Sequence, residues 1–127
     1  MGSEMCIRDR SIVLIASIMS IIANPALTAY CASKAALVGG AKALALELAN
    51  NKIRVNCVSP GYLEDTKMMT ELDEILSNQE LDNLKKGYPL GLGSTNDITA
   101  LCLFLLSDES KWITGQNIII DGGYSIK

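Results

Sequence analysis

Residues 28–58 read TAYCASKAALVGGAKALALELANNKIRVNCV, and two different periods succeed one another within them. From Thr28 to Ala49 the composition is rich in Ala, Leu, Lys and Glu, and Leu37, Ala41, Leu44 and Leu48 recur at helical spacing, so one face of a long helix is apolar. Asn50-Asn51 ends that helix. Ile53 to Val58 then alternates as a strand does, before Ser59-Pro60-Gly61 turns the chain.

Upstream, Ser11 to Ala16 (SIVLIA) is a continuous β-branched apolar run, the pattern of a strand buried on both faces of a parallel sheet, and Asn24-Pro25 breaks the chain before the helix. Strand, helix, strand is a βαβ unit. Downstream, Glu64 to Lys86 is polar and predicts one or two short helices forming a flap, closed by a glycine-rich turn over Gly87 to Gly93. Thr95-Asn96-Asp97 offers caps for an apolar helix over Ile98 to Leu106, and Asn117 to Ile120 reads as a last buried strand. The expectation is one α/β domain with about three parallel strands joined by crossover helices.

Composition narrows the function. A hydrophobic fraction of 49% supplies a packed core, and eleven basic against fourteen acidic residues, with no histidine, give a charge of −3 and no basic patch. Binding to nucleic acid or to an anionic membrane is therefore not expected. Cys6, Cys31, Cys57 and Cys102 stand far apart without a CxxC spacing, which predicts no metal site and free, mostly buried thiols in a reducing cytoplasm. Arg8 and Arg10 before the apolar run Ser11 to Ala23 resemble a secretory signal, but Glu4, Asp9 and Pro25 fit that reading poorly. Residues 1–10, MGSEMCIRDR, have no periodicity and read as a non-native or artefactual leader.

Tyr30 and Lys34 lie four apart near the start of the long helix, so both side chains leave one face. A phenol is a poor acid or base at neutral pH, and an ammonium beside it favours the phenolate, which turns such a pair into an acid/base unit. Ser17 follows the first strand, at the end where open α/β sheets place their ligands, and its hydroxyl can hydrogen-bond a carbonyl or alkoxide. Alone, Tyr-x-x-x-Lys is a common accident, and an isolated serine more often caps a turn. Trp112 reads as core or interface, and Gly122-Gly123 as a turn after the last strand.

Four segments in one order supply the missing context: Ser17; Tyr30-Cys-Ala-Ser-Lys34; Arg54-Val-Asn-Cys-Val-Ser-Pro-Gly61; and Ile113-Thr-Gly with Asp121-Gly-Gly123. Together they resemble the short-chain dehydrogenase/reductase family over nearly everything after Ser11. The resemblance implies that residues 11–127 are the C-terminal half of a Rossmann-like doubly wound parallel sheet, without the nucleotide-binding half and its glycine-rich turn. It implies Tyr30 as general acid/base, Lys34 as the cation that favours its phenolate and holds the nicotinamide ribose, and Ser17 as the group that orients a substrate carbonyl. Tyr30, Lys34, Pro60, Gly61, the Leu63 backbone and Thr66 would then meet the cofactor, NAD or NADP, a choice these residues do not make.

Two positions depart from the family. Asp65 stands at the fifth position after Pro60, where a threonine is usual, and Thr66 comes one residue later with a helix N-cap as its equal alternative. Leu14 stands where asparagine is frequent. The expected activity is reversible reduction of a small-molecule carbonyl to a secondary alcohol by hydride transfer, most like 3-oxoacyl-[acyl-carrier-protein] reductases, in a cytoplasmic homo-oligomer, dimer or tetramer. A sugar or polyol dehydrogenase, and a truncated fragment serving only subunit assembly, stay open.

Overall fold

A computed structural model describes residues 10–127, so the expected leader lies outside the described residues except for Arg10. The elements are β1 (Ser11–Ile15), α1 (Thr28–Leu48), β2 (Arg54–Pro60), α2 (Lys67–Ile75), α3 (Asn78–Lys86), α4 (Thr95–Leu106) and β3 (Asn117–Ile120). The strands form one parallel sheet in the order β1-β2-β3, with Ile12 beside Val55 and Val58 beside Ile118. The α/β architecture with three parallel strands is the one the sequence predicts.

Alternation along the strands decides which helix each residue meets. Ile12 and Leu14 of β1, with Val55 and Cys57 of β2, pack on Ala41 and Ala45 of α1, flanked by Leu37, Val38, Leu44 and Leu48. The small alanines let the helix approach closely while the leucines close the sides. The remaining positions turn to α4: the Ser11 hydroxyl donates to Leu105 O at 2.7 Å, and the Arg54 guanidinium donates to Ser107 O at 2.9 Å. Helices thus cover both faces, as a doubly wound sheet requires.

β1 and β2 exchange the roles expected of them. β1 is only half-buried, because among the described residues it pairs on one side alone, whereas Val55 to Ser59 of the central β2 are all buried. The buried polar groups there are satisfied: Asn56 donates to Ile113 O at 2.9 Å and accepts from Gln116 N at 3.0 Å. The Ile113-Thr-Gly segment completes this seam, since Val55 N donates to Thr114 Oγ1 at 3.0 Å and Gly115 N to Val55 O at 2.7 Å.

Other expectations need correction. α1 stops at Leu48, one residue short of the expected Ala49, and a 3-10 turn over Ala49–Asn51 follows it, ended by Lys52 at φ 58°. α4 begins at Thr95 with Ser94 as its cap, and the Asp97 carboxylate accepts from the Ser94 amide at 2.8 Å. Trp112 is 96% exposed, so of the core and interface readings the core one fails. Of the described cysteines, all free, Cys57 is buried and Cys31 and Cys102 are partly so. The run read as a signal-like segment is spent on β1 and a short 3-10 turn whose Ile18 and Met19 are buried. No described helix is long and apolar enough to cross a membrane, and no described cluster of residues could hold a metal ion.

Candidate active site

The carboxyl ends of β1 and β2 open into a cavity of about 420 Å³, and Ser17, Tyr30, Lys34, Pro60, Gly61, Leu63 and Thr66 all line it. The seven candidate catalytic and cofactor-facing residues therefore come to one place, at the strand ends where open α/β sheets bind ligands.

Its first wall is regular structure. Ser17 follows β1, 8% exposed, and its Oγ accepts from Met19 N at 3.2 Å while capping the 3-10 turn. Accepting that bond leaves the hydroxyl proton free to be donated. Beneath, the Ser59 hydroxyl donates to Asn117 Oδ1 at 2.6 Å and lies 3.3 Å from Ser20 Oγ, tying the turn to β2 and β3. Lys34 reaches from α1 to the end of β1, where Nζ donates to Ile15 O at 3.2 Å and stands 5.7 Å from the Tyr30 ring centre. The helical spacing thus delivers an ammonium and a phenol to the same rim.

The second wall is the loop after β2. The sheet ladder ends where Gly61 N donates to Ile120 O at 3.0 Å. Beyond it, Tyr62 N donates to the Tyr88 hydroxyl at 3.0 Å, and Glu64 N to Gly93 O at 2.9 Å. The Thr66 hydroxyl donates to Leu63 O at 2.9 Å and accepts from Met69 N at 3.4 Å, so it acts as the N-cap of α2 while lining the cavity. Leu63 accordingly has its carbonyl engaged within the loop.

Asp65 does something the sequence gives no hint of. Its carboxylate accepts from the Thr95 hydroxyl at 2.6 Å and the Thr95 amide at 2.9 Å, at the first turn of α4. Those hydrogen bonds hold its carboxyl below the ordinary carboxylate range. Helix α4 gains an acceptor for an otherwise orphan amide, and the loop gains an anchor.

Three tyrosines in and behind this wall also escape a motif reading. Tyr88, 4% exposed, stacks on Tyr124 with ring centres 4.6 Å apart and meets Tyr62 edge-on at 6.3 Å. Burial pushes the Tyr88 phenol up to about 12, and burial with the neighbouring Tyr124 and Tyr30 phenols raises that of Tyr62, a cavity-lining residue. Both are neutral hydroxyls at physiological pH. The available signal was an aromatic residue set among glycines in Gly87 to Gly93, since a buried tyrosine hydroxyl requires a partner. Gly122 and Gly123, at φ 58° and 88°, form the expected turn and pack against Gly91 O and Pro89.

Residues 2–125 match the profile of the family described as enoyl-(acyl carrier protein) reductase. The chain is 43% identical over 117 residues to the 3-oxoacyl-[acyl-carrier-protein] reductase FabG of Chlamydia trachomatis serovar D, a match covering 91% of this chain and 45% of that protein. It thus spans about half the length of the curated relatives it matches. Among solved structures, a short chain dehydrogenase family protein from Francisella tularensis superposes with a TM-score of 0.83 at 39% identity, covering 92% of this chain and 51% of that one. A 4-hydroxyisoleucine dehydrogenase mutant complexed with NADH and succinate gives a TM-score of 0.83 at 39% identity, covering 94% and 48%. The agreement of profile, relatives and superposition, reached over the same residues that build the cavity, places this chain in the short-chain dehydrogenase/reductase family.

Proposed function

We propose that residues 11–127 form the C-terminal portion of an NAD(P)-binding Rossmann domain, and that the cavity is the active site of an oxidoreductase interconverting a carbonyl and a secondary alcohol. The observation that carries this is the convergence of Ser17, Tyr30 and Lys34 with the Pro60-Gly61 loop on one cavity. Apolar Ile18, Met68 and Leu72 and the hydroxyls of Ser17 and Tyr30 line it with the Lys34 ammonium, a combination that fits a heteroaromatic ring bearing a hydroxylated sugar. Lys34 would hold the ribose, and the Pro60, Gly61, Leu63 and Thr66 wall would face the ring. A bound nicotinamide supplies the hydride.

The chain's own residues do the proton chemistry. Ser17 holds the carbonyl oxygen by donating its remaining proton, and Tyr30 gives that oxygen a proton as negative charge develops there. The Tyr30 ring lines the cavity, its centre 5.7 Å from Lys34 Nζ. Lys34 then stabilises the phenolate left behind, and the reverse sequence oxidises an alcohol.

The relatives support a 3-oxoacyl thioester as substrate, and the exposed apolar residues of α1 and α4, Leu46 at 81% and Leu103 at 64%, support a homo-oligomer that covers them. The test is NADH and NADPH oxidation by the protein carrying this chain, with a 3-oxoacyl thioester, simple ketones and sugar or polyol substrates compared. Tyr30→Phe is expected to lower turnover by about 10²- to 10⁴-fold. Undiminished turnover in that variant would overturn the assignment, and preference for a polyol would move the substrate class alone.

A further inference from the structure

Tyr88 is a buried phenol that the proton chemistry above does not use. It belongs to a segment whose glycines mark it as a turn, yet it reaches the cavity wall from behind. The last rung of the β2–β3 ladder is at Gly61, and the next amide, that of Tyr62, finds its acceptor in the Tyr88 hydroxyl at 3.0 Å. The ring does as much as the oxygen: a Cβ on Gly61 would lie 2.8 Å from Tyr88 Cε1. Tyr88 is itself fixed, by stacking on Tyr124 and by a turn in which Leu90 N donates to Gly122 O at 3.1 Å and Gly91 N to Tyr88 O at 2.9 Å. The C-terminal Asp121-Gly-Gly turn is thereby connected through one side chain to the loop lining the cavity.

We propose that Tyr88 is a positioning residue for nucleotide binding, its hydroxyl and ring fixing the Gly61-Tyr62 backbone so that Pro60, Gly61 and Leu63 keep the cavity wall in a binding-ready shape. The role rests on the cofactor reading of that cavity. A phenylalanine would fill the same apolar space, so packing alone gives no reason for the hydroxyl, which serves the one amide where sheet pairing has run out and the wall begins. A preset wall spares the bound state the ordering of a loop, which appears as affinity.

The experiment compares the protein carrying this chain with its Tyr88→Phe and Tyr124→Phe variants. Three quantities are read: NADH and NADPH affinity by fluorescence titration, thermal midpoint, and exchange of the Tyr62 amide by NMR. Loss of one hydrogen bond to the wall is expected to weaken nucleotide binding about three- to tenfold in Tyr88→Phe, with faster exchange at Tyr62 and little change in midpoint. Tyr124→Phe, which keeps the stack, leaves affinity and exchange as they were. Unchanged affinity in Tyr88→Phe, or a fall in midpoint shared by both variants with affinity intact, overturns the positioning role and leaves the cofactor reading standing. Absence of saturable binding in the unmodified protein overturns the cofactor reading, and the Tyr88 role with it. Should Tyr88→Phe fold poorly, Tyr62 exchange in the unmodified protein decides: fast exchange there means the bond does not hold the wall.

Discussion

Ser17, Tyr30 and Lys34 stand on a strand end and a single helix, whereas the facing wall, Pro60 to Thr66, is a loop held by Tyr88, Gly93 and Thr95. The first wall takes its geometry from backbone periodicity, with phenol and ammonium four positions apart on one helix and a carbonyl of β1 to receive the ammonium. The second takes its geometry from contacts with a distant part of the chain, the Tyr88 hydroxyl, the Gly93 carbonyl and Thr95. A wall of the first kind tolerates change wherever the helix persists; one of the second kind fails when a single distant contact is lost. The substitutions that follow test that asymmetry.

Gly61→Ala should break the second wall most severely. Its new methyl would meet Tyr88 Cε1 at 2.8 Å, Asp121 Cβ at 3.1 Å and Asp121 Cα at 3.2 Å, and the last of these is backbone that cannot rotate away. Overpacking of this kind costs about 1–3 kcal/mol, a fall in melting temperature of roughly 3–15 °C for a domain this size. Calorimetry reads it directly. A melting temperature within a degree of the original would mean that the tyrosine cluster is loose, and that the two walls do not differ as described.

Asp65→Ala strikes the far end of the same wall, with a smaller effect that depends on pH. Hydrogen bonds from Thr95 lower the folded-state carboxyl below its unfolded value. A carboxylate lowered in this way contributes stability above the unfolded value of about 3.9, and the contribution is lost as pH falls through the folded value. The original protein should therefore melt higher than Asp65→Ala at pH 7, and the two should begin to converge as pH falls below about 4, meeting once it has passed the lowered folded value. Melting curves across the acid range check this. A gap that persists unchanged to low pH would show that the charge at position 65 does not fasten the loop to α4.

The same asymmetry explains how much could be read in advance. Thr28–Leu48 and Asn117–Ile120 were legible because composition and period act within each segment, and Tyr30 with Lys34 because one helical turn fixes their separation. β2 looks alternating in sequence, yet Val55 to Ser59 are all buried. Its central place comes from pairing on both sides, and Asn56 and Ser59 are admitted there only because Ile113, Gln116 and Asn117 satisfy them. Tyr88 reaches Tyr62 across 26 residues and Asp65 reaches Thr95 across 30, separations that carry no period. Thr66 was undecided between cap and cofactor wall; its hydroxyl caps α2 from a place on the cavity lining, so the two descriptions are compatible.

The first wall has one point at which it too departs from regular structure. Between Ser17 and Tyr30, Ala26 holds φ at 66°, two residues before α1 begins. The left-handed region costs an L-residue with a Cβ about 1–2 kcal/mol, and glycine escapes that cost. Glycine also enlarges the freedom of the unfolded chain, which returns about 0.5–1 kcal/mol of the gain. Ala26→Gly is therefore expected to stabilise the protein by about 0.5–1 kcal/mol, the smallest effect considered and the only gain. Denaturant titration measures it, through a higher midpoint at constant slope. Loss of stability instead would mean that the methyl of Ala26 restrains the entry to α1, and that the wall carrying Tyr30 depends on a single residue as the loop wall depends on Tyr88.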